Sequence, residues 1–242
     1  MAGHSHWKSI KHQKGAADAK RSKLFSKFSK AIMIAAREGG GDPKHNLKLQ
    51  YALDKARAGN MNKDAIEKAI KKATGELEKE YEELTYEAYG PGGIAFLVET
   101  LSDNRNRTAP ELRKIFDVKG GKFGAPGSTM RFFERKGLLA LSKEAATEDQ
   151  IFEIATEAGA EDVQTGEDAY HITTSPTDFA QVKKALLEKG FELAQAELAY
   201  VATSTTPVAD ANDRSKIEAL IEVLEDHEDV QGVYTNYGGP SA

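Results

Sequence analysis

Residues 84–118 read LTYEAYGPGGIAFLVETLSDNRNRTAPELRKIFDV, and this stretch decides the fold class. Leu84, Tyr86 and Ala88 alternate with polar side chains, which predicts a strand over residues 84–89, and the glycine-rich residues 90–93 that follow are typical of a turn. Residues 94–101 are apolar on both faces, as expected of a central strand. Thr108 and Glu111 have the spacing of a capping box, which predicts a helix through about residue 118. The stretch is therefore expected to form two strands and a helix.

This unit needs further elements to cover its sheet. Residues 129–133 are expected to add a strand, and the end of the chain offers one more helix and strand. Between them lies a strand–helix–strand–strand–helix–strand pattern, which is typical of a ferredoxin-like unit. We therefore predict an α+β protein in which residues 79–134 and 208–242 form one discontinuous ferredoxin-like-type domain. Residues 135–205 are expected to form a second, inserted ferredoxin-like βαββαβ domain.

The N-terminal third has the pattern of a small helical domain. Apolar residues recur at helical spacing in three successive segments between residues 18 and 75. Glycine-rich breaks separate the segments, and Asn62 is a suitable N-cap for the third. We predict a three-helix domain over residues 1–78, in which residues 1–17 form an extended basic arm.

Basic residues dominate the first thirty positions, where eight Lys or Arg stand against one acid, Asp18. So biased a segment repels itself and needs an anionic partner or extensive hydration. Steps of 3, 4 and 3 residues place four of the lysines on one helical stripe, opposite the apolar face. A solvated helix face is the alternative, but such faces usually mix signs. We expect the following residues to contact nucleic-acid phosphates: Lys8, Lys11, Lys14, Lys20, Arg21, Lys23, Lys27 and Lys30.

The charges of the whole chain are segregated along its length. Residues 1–74 carry 17 basic and 6 acidic residues, whereas residues 143–242 carry 6 basic and 21 acidic residues. This asymmetry predicts an anionic ligand at the N-terminal end. The acidic half has several possible roles, namely a solvated outer face, a contact for a basic protein or repulsion of off-target nucleic acid, and its sequence does not choose among them.

A second basic segment lies in the middle of the chain, where residues 103–136 hold nine basic and four acidic residues. Arg105 and Arg107 follow the central strand and suit phosphate or guanine edges, although the neighbouring Asp and Asn are equally suited to making a simple turn. Lys119 and Lys122 flank two glycines whose main-chain amides are candidates for binding a phosphate. The segment lacks the Gly-Lys-Ser/Thr ending of a Walker loop, so nucleotide hydrolysis is not expected.

Trp7 and three nearby histidines are the remaining candidates in the arm. Trp7 is equally suited to stacking on an unpaired base and to anchoring the arm on the helical domain. His4, His6 and His12 do not have the spacing of a standard metal site, and no acid or cysteine lies close enough in sequence to complete one. We expect no metal and no cofactor.

Composition excludes several other classes of protein. The chain has no cysteine, which excludes disulfides and thiolate chemistry. No apolar run approaches the length of a membrane span, and the N-terminus lacks the apolar core of a signal peptide. A cytoplasmic location is therefore expected.

Three longer segments resemble the YebC/PmpR family. They are MAGHSHWKSIKHQKGAADAKRSKLFSKFSKAI at the start, GGGDP at residues 39–43, and YGPGGIAFLVETLSDNRNRTAPELRKIFDVKGGKFGAPGSTMRFFERKG at residues 89–137. The resemblance implies a three-domain bacterial cytoplasmic protein with a cleft between domains. It also implies a DNA-binding transcriptional regulator without catalytic residues. Mitochondrial relatives in this family act as translational activators of cytochrome c oxidase, which makes RNA or the ribosome the alternative partner.

The residues and the resemblance together predict a non-enzymatic, nucleic-acid-binding regulator of gene expression. A DNA-binding transcriptional regulator is the first hypothesis, and a ribosome-associated, RNA-binding translational activator is the alternative. The helices offer few Arg, Asn or Gln side chains for reading a major groove, which favours binding through shape and backbone. Two other classes were weighed: an enzyme using Asp103, Arg105 and Arg107, and a scaffold or binder of anionic membranes through the basic helix.

Overall fold

A computed structural model describes residues 18–73, 80–144 and 146–239, with side chains from residue 21 onward. Three helices come first: α1 (Asp18–Gly39), α2 (Leu47–Ala58) and α3 (Lys63–Ala73). The side chains of Asn46 and Asn62 cap α2 and α3 by accepting hydrogen bonds from Leu49 N at 3.0 Å and Ala65 N at 2.8 Å. The apolar faces of the three helices share one core, which includes Phe28, Ile32, Leu49, Leu53 and Ile66.

The other elements follow in chain order: β1 (Glu82–Tyr89), β2 (Ala95–Ser102), α4 (Arg105–Val118), β3 (Lys122–Phe123), β4 (Phe133–Ser142), α5 (Glu148–Glu157), β5 (Ala160–Thr165), β6 (Ala169–Thr174), α6 (Phe179–Glu188), β7 (Gln195–Ala202), α7 (Ala211–Asp226) and β8 (Val230–Thr235). Short 3-10 turns cover Pro91–Gly93 and Met130–Phe132. No helix in the described residues is long and apolar enough to cross a bilayer.

The first sheet has the strand order β3-β1-β2-β8, and all its neighbours are antiparallel. Helices α4 and α7 cover one face, where Phe96, Phe116 and Leu220 are fully buried in a shared core. Strand β8 comes from the end of the chain and pairs with β2, from Phe96 opposite Thr235 to Thr100 opposite Val230. The division of the chain into a discontinuous domain and an inserted domain stays a prediction.

The second sheet has the order β5-β6-β4-β7 and is also antiparallel. Its elements follow one another as strand, helix, strand, strand, helix, strand, and α5 and α6 pack on it around Leu139, Ile172 and Phe179. With three helices ahead of two antiparallel sheets, the α+β fold class predicted from the sequence is confirmed.

The strand expected at residues 129–133 is wrong. Residues 130–132 form a 3-10 turn, and Phe133 begins β4 of the second sheet. The Glu87 carboxylate accepts hydrogen bonds from the main-chain amides of Gly127, Thr129 and Met130, at 2.5, 2.6 and 2.9 Å. These amides are therefore not available for strand pairing, and the two-residue β3 supplies the edge of the first sheet instead.

Helix α4 begins four residues before the expected position, with Asn104 and not Thr108 as its N-cap. The Asn104 side chain is the N-cap and accepts hydrogen bonds from the amides of Asn106 and Arg107. Thr108, the expected cap, lies inside the helix, where its hydroxyl contacts Ser102 Oγ at 2.6 Å. Arg105 and Arg107 consequently lie in the first turn of a helix and not in a loop.

The two sheets contact each other and the helical unit. Ala95 and Leu97 of β2 share an apolar cluster with Leu138 and Ala199 of the second sheet. Helix α2 packs on β7, and Tyr51 meets Phe179 edge-to-face with ring centroids 5.2 Å apart. The helical unit therefore packs on the second sheet.

Candidate nucleic-acid interface

The outer part of α1 carries two of the predicted cations at its surface. Arg21 is exposed, and its guanidinium lies over the Phe25 ring at 5.5 Å. Lys23 is 54% exposed and lies 3.6 Å from an Asp226 carboxylate oxygen. Lys20 belongs to the same helix, but the structure does not describe its side chain. The predicted contacts Trp7, Lys8, Lys11 and Lys14, together with the three histidines of the arm, fall outside the described residues.

Lys27 departs from the exposed stripe that the helical spacing predicts. Its side chain is buried, and its Nζ donates a 2.5 Å hydrogen bond to the main-chain oxygen of Glu225, in the last turn of α7. Burial lowers the pKa of Lys27 to about 8, although Glu225 and Asp226 partly oppose this effect. Helix α1 packs on both sides, so the face opposite its apolar core is not wholly solvent-exposed. As the chain is folded here, Lys27 has no access to a phosphate.

Lys30 and Arg107 are also engaged within the protein. Both reach the fully buried carboxylate of Asp229, Lys30 Nζ at 3.2 Å from Oδ1 and Arg107 Nη2 at 2.6 Å from Oδ2. Thr108 donates a third hydrogen bond to this carboxylate, at 2.7 Å. Burial opposes ionisation of Asp229, but the hydrogen bonds from Arg107, Thr108 and Lys30 hold its pKa below the usual value.

Arg107 is surrounded by further acids, which disfavours its predicted role as a phosphate ligand. Besides Asp229, its guanidinium lies 3.1 Å from Asp103 and 3.7 Å from Glu228. These carboxylates neutralise the guanidinium. Because Glu228 and Asp229 follow directly after α7, their contacts with Arg107 also connect α4 to the end of α7. Asp103 and Arg107, two of the residues named in the enzyme hypothesis, are thus paired with each other.

The middle of the chain presents a separate basic surface, which we call the α4–β3 patch. Its cations make no ion pair with any residue that the structure describes, and all but the partly exposed Lys119 are exposed. The patch comprises Arg113, Lys114, Lys119 and Lys122, and the similarly unpaired Arg105 lies at the other end of α4. Lys119 and Lys122 were predicted from the sequence, whereas Arg113 and Lys114 were counted only in the overall charge of the segment.

Lys122 of this patch lines a shallow cleft of about 430 Å³, together with Tyr89, Gly90, Gly93, Gly120 and Gly121. The amides of Gly120 and Gly121 were predicted to bind a phosphate, but they and the amide of Lys119 are already used within the protein. These amides donate to the carbonyl oxygens of Ile115, Asp117 and Phe116 and so close the C-terminus of α4. Side chains of the patch, and not these amides, are therefore available to an anion.

Two arginines near the junction of the sheets lie over aromatic rings. The Arg131 guanidinium is 4.8 Å from the Phe132 ring centroid, and that of Arg135 is 5.8 Å from the centroid of Tyr200. Both arginines are exposed and have no ion-pair partner among the described residues. Arginine planes and aromatic rings are the groups that stack on unpaired bases. A signal was present in the sequence, because each arginine belongs to the basic segment 103–136.

A polar junction connects the three units. Lys55 Nζ of α2 lies 3.3 Å from Glu197 Oε2 of β7, and Tyr234 Oη of β8 donates to Glu99 Oε2 of β2 at 2.8 Å. Glu197 raises the pKa of Lys55, and burial raises that of Tyr234 well above its usual value. Since each carboxylate has a donor in the protein, this junction is a structural contact. Within the described ranges, no group of three or more His, Asp or Glu has a metal-binding arrangement.

Comparison with known proteins gives a consistent result along the whole chain. Residues 5–76 match the TACO1/YebC protein N-terminal domain, and residues 81–237 match the TACO1/YebC second and third domain. A probable transcriptional regulatory protein of Dictyoglomus turgidum is 50% identical over 242 residues, covering 99% of this chain and 97% of the relative. One with the same description from Treponema denticola is 53% identical over 237 residues, covering 98% of this chain and 96% of that relative.

A solved structure supports the same relationship. The crystal structure of a conserved hypothetical protein from Aquifex aeolicus matches with a TM-score of 0.83 and 41% identity, over 93% of each chain. The two family matches together span the helical unit and both sheets, and the names of the relatives support a role as a regulator. On these grounds, the chain belongs to the TACO1/YebC family.

Proposed function

We propose that this protein is a non-enzymatic regulator of gene expression that binds nucleic acid through the α4–β3 patch and the exposed cations of α1. The observation that carries the proposal is the set of unpaired cations on the patch. Arg113, Lys114 and Lys122 are exposed and make no ion pair with the described residues. Several exposed cations without acidic partners, presented by a helix and a strand, are the electrostatic footprint of a phosphate-binding surface.

Double-stranded DNA is the first ligand that we propose, because the relatives are named probable transcriptional regulatory proteins. Contact with the phosphate backbone accounts for affinity, since α4 presents Arg113 and Lys114 beside the basic β3 and offers few groups for reading base edges. We place this activity in the cytoplasm, where a regulator of this kind meets its ligand.

RNA, on the ribosome or elsewhere, is the second candidate, and one observation favours it. The Arg131–Phe132 and Arg135–Tyr200 pairs offer planar groups next to unpaired charges. Such groups bind splayed single-stranded bases better than the closed stack of a duplex. The two candidates therefore differ in which surface dominates binding.

The test measures binding of a labelled DNA duplex and of a structured RNA over a series of salt concentrations. The triple variant Arg113→Gln/Lys114→Gln/Lys122→Gln should reduce the slope of log K against log salt by about 0.9 for each duplex phosphate contact that is lost. A matched control is Lys143→Gln/Lys184→Gln/Lys189→Gln, which removes the same charge from the acidic half. An equal slope in wild-type protein and in the patch variant would exclude the patch as an interface.

Cross-linking in cells, followed by sequencing of the attached nucleic acid, distinguishes the two ligands. Promoter fragments support the transcriptional role. Ribosomal or transfer RNA supports the translational one.

A further inference from the structure

The lysines of α1 meet a short acidic stretch, residues 225–229, which we call the acidic segment. Lys23 lies 3.6 Å from Asp226, and Lys27 donates to the main-chain oxygen of Glu225 at 2.5 Å. Lys30 lies 3.2 Å from the Asp229 carboxylate and 3.4 Å from the main-chain oxygen of Glu228. Three lysines that the sequence assigns to phosphate are therefore in contact with anionic or carbonyl oxygens of the same chain.

The lysines form a row that suits a chain of negative charges. Positions 23, 27 and 30 lie on one side of the helix, separated by four and three residues, or roughly 6 and 4.5 Å along its axis at about 1.5 Å per residue. The acidic segment presents carboxylates and the carbonyl-bearing C-terminus of α7, which is the negative end of that helix. Closely spaced negative oxygens are also what a phosphate backbone presents. The segment thus offers the lysine row the same chemistry as a nucleic-acid strand.

Two of the three contacts have the character of a weak, exchangeable interface, whereas the Lys30–Asp229 pair is buried, with side chains 16% and 0% exposed. The Lys23–Asp226 pair is about half exposed, at 54% and 44%, and such pairs contribute little to stability. The Lys27 ammonium is buried against an uncharged carbonyl oxygen, which costs free energy compared with its hydrated state. In the described part of the chain, the apolar core of the helical unit and that under α7 are separate clusters.

The opposite side of the helical unit is held differently. There α2 packs on β7, Tyr51 contacts Phe179, and Lys183 forms a buried ion pair with Asp54. Apolar contact and a buried ion pair resist salt far better than exposed pairs do. If the helical unit moves, it therefore keeps its contact with the second sheet and separates from the acidic segment.

We propose that the lysine row of α1 is a second nucleic-acid-binding surface, which the acidic segment covers until a nucleic acid displaces it. The proposal rests on the proposed function and adds its regulation. The exposed α4–β3 patch makes the first contact, and exchange of the acidic segment for phosphates then adds Lys27 and Lys30 to the interface. The apparent affinity of the row is its intrinsic affinity multiplied by the fraction of molecules in which the row is open.

A reversible cross-link tests the proposal. Because the chain has no cysteine, the double variant Lys23→Cys/Asp226→Cys introduces the only two thiols. A short bismaleimide with a disulfide in its linker joins them, and reductant releases them in the same sample. The matched control joins Lys184→Cys to Glu188→Cys, whose parent side chains lie 3.7 Å apart on α6. Binding of a labelled DNA duplex and of a structured RNA is measured before and after release.

We expect the locked protein to bind at least tenfold more weakly than the released one. The slope of log K against log salt should be steeper by about two in the released form, because Lys27 and Lys30 each add one phosphate contact. The α6 control should show no difference on release. Equal affinity and slope in the locked and released forms would overturn the proposal and leave the proposed function intact. Failure of the wild-type protein to bind either nucleic acid at low salt would overturn both.

Hydrogen exchange on the wild-type protein gives a second, independent readout that needs no substitution. Saturating nucleic acid should accelerate amide exchange in residues 225–229, because their contacts with α1 are lost. Unchanged or slower exchange in this stretch, while the α4–β3 patch becomes protected, would show that nucleic acid binds without displacing the acidic segment, and the proposal would be wrong.

Discussion

Lys27 Nζ and the main-chain oxygen of Glu225 form a hydrogen bond of 2.5 Å between residues 198 positions apart in sequence. This contact joins the most basic part of the chain to the most acidic part. The opposite charges of the two ends, which the sequence shows without explaining, thus meet in the folded protein.

Replacement of Lys27 by methionine tests the cost of that contact. The pKa of Lys27 is about 8 in the folded protein, against 10.5 ordinarily, so the folded state binds fewer protons between these values and wild-type stability rises with pH across that window. Relative to Lys27→Met, the wild-type protein should gain on the order of 2–3 kcal/mol between pH 7 and pH 10.5. Urea unfolding at both pH values measures this, with the exposed Lys68→Met as control. A pH-independent difference between Lys27→Met and wild type would contradict it.

Loss of Arg107 should destabilise the protein by leaving a buried charge with too few partners. Arg107→Leu removes the 2.6 Å contact with Asp229, whose side chain is fully buried, and we expect a loss of roughly 3 kcal/mol at pH 7. The pKa of Asp229 is lowered in the fold, so the stabilisation is present above the unfolded pKa and is lost as pH falls through the folded one. In urea unfolding, the difference in stability between wild type and Arg107→Leu should therefore be smaller at pH 3 than at pH 7. Arg113→Leu is the control, and an equal loss in both variants would refute the argument.

The Asp54–Lys183 pair joins α2 to α6, and Lys183 is buried. Asp54→Leu alone leaves an unpaired buried ammonium, so it should cost roughly 3 kcal/mol, whereas Asp54→Leu/Lys183→Met should recover most of this loss. Thermal unfolding of the four proteins in the double-mutant cycle measures the coupling. Additive effects of the two substitutions would mean that the ion pair does not hold the helical unit in place.

The two arginines over aromatic rings should discriminate between ligands. Arg131→Gln/Arg135→Gln should weaken binding of single-stranded RNA more than binding of a DNA duplex, because duplex bases are not free to stack on Phe132 and Tyr200. Titration of both ligands at one salt concentration measures the ratio. The control, Lys143→Gln/Lys189→Gln, removes the same charge away from aromatic rings. An equal loss for both ligands would reduce the role of these arginines to charge alone.

The elements of this fold were largely predictable because each has a strong local signal. The period of the apolar residues placed three N-terminal helices, and counting elements assigned β8 to the first sheet, where it pairs with β2. Local signals failed where a distant side chain decided the structure. The Glu87 carboxylate takes up the amides near Thr129, and no feature of residues 129–133 themselves indicates this.

At the candidate site, too, sequence patterns did not reveal the contacts made by residues that are distant in sequence. Periodicity placed Lys23, Lys27 and Lys30 on one side of α1, but it did not reveal what covers that side. Arg107 was predicted to bind phosphate because it follows the central strand in a basic segment, whereas its main partner, Asp229, lies 122 positions away. Residue type indicates which groups bind phosphate in general, and the tertiary fold determines which of them are already occupied.

The pairing of β2 with β8 has a consequence for synthesis of the protein on the ribosome. Strand β2 ends at Ser102, but β8, its neighbour on the side away from β1, is complete only at Thr235. At about 5–20 residues per second, translation needs roughly 7–27 s to supply it. During that interval the open edge of an apolar strand is a site for aggregation, whereas β4 to β7 are contiguous and can fold as they emerge. We expect newly made chains to depend on a chaperone until release, and nonsense mutations that remove only the last strand to be as damaging as much larger truncations.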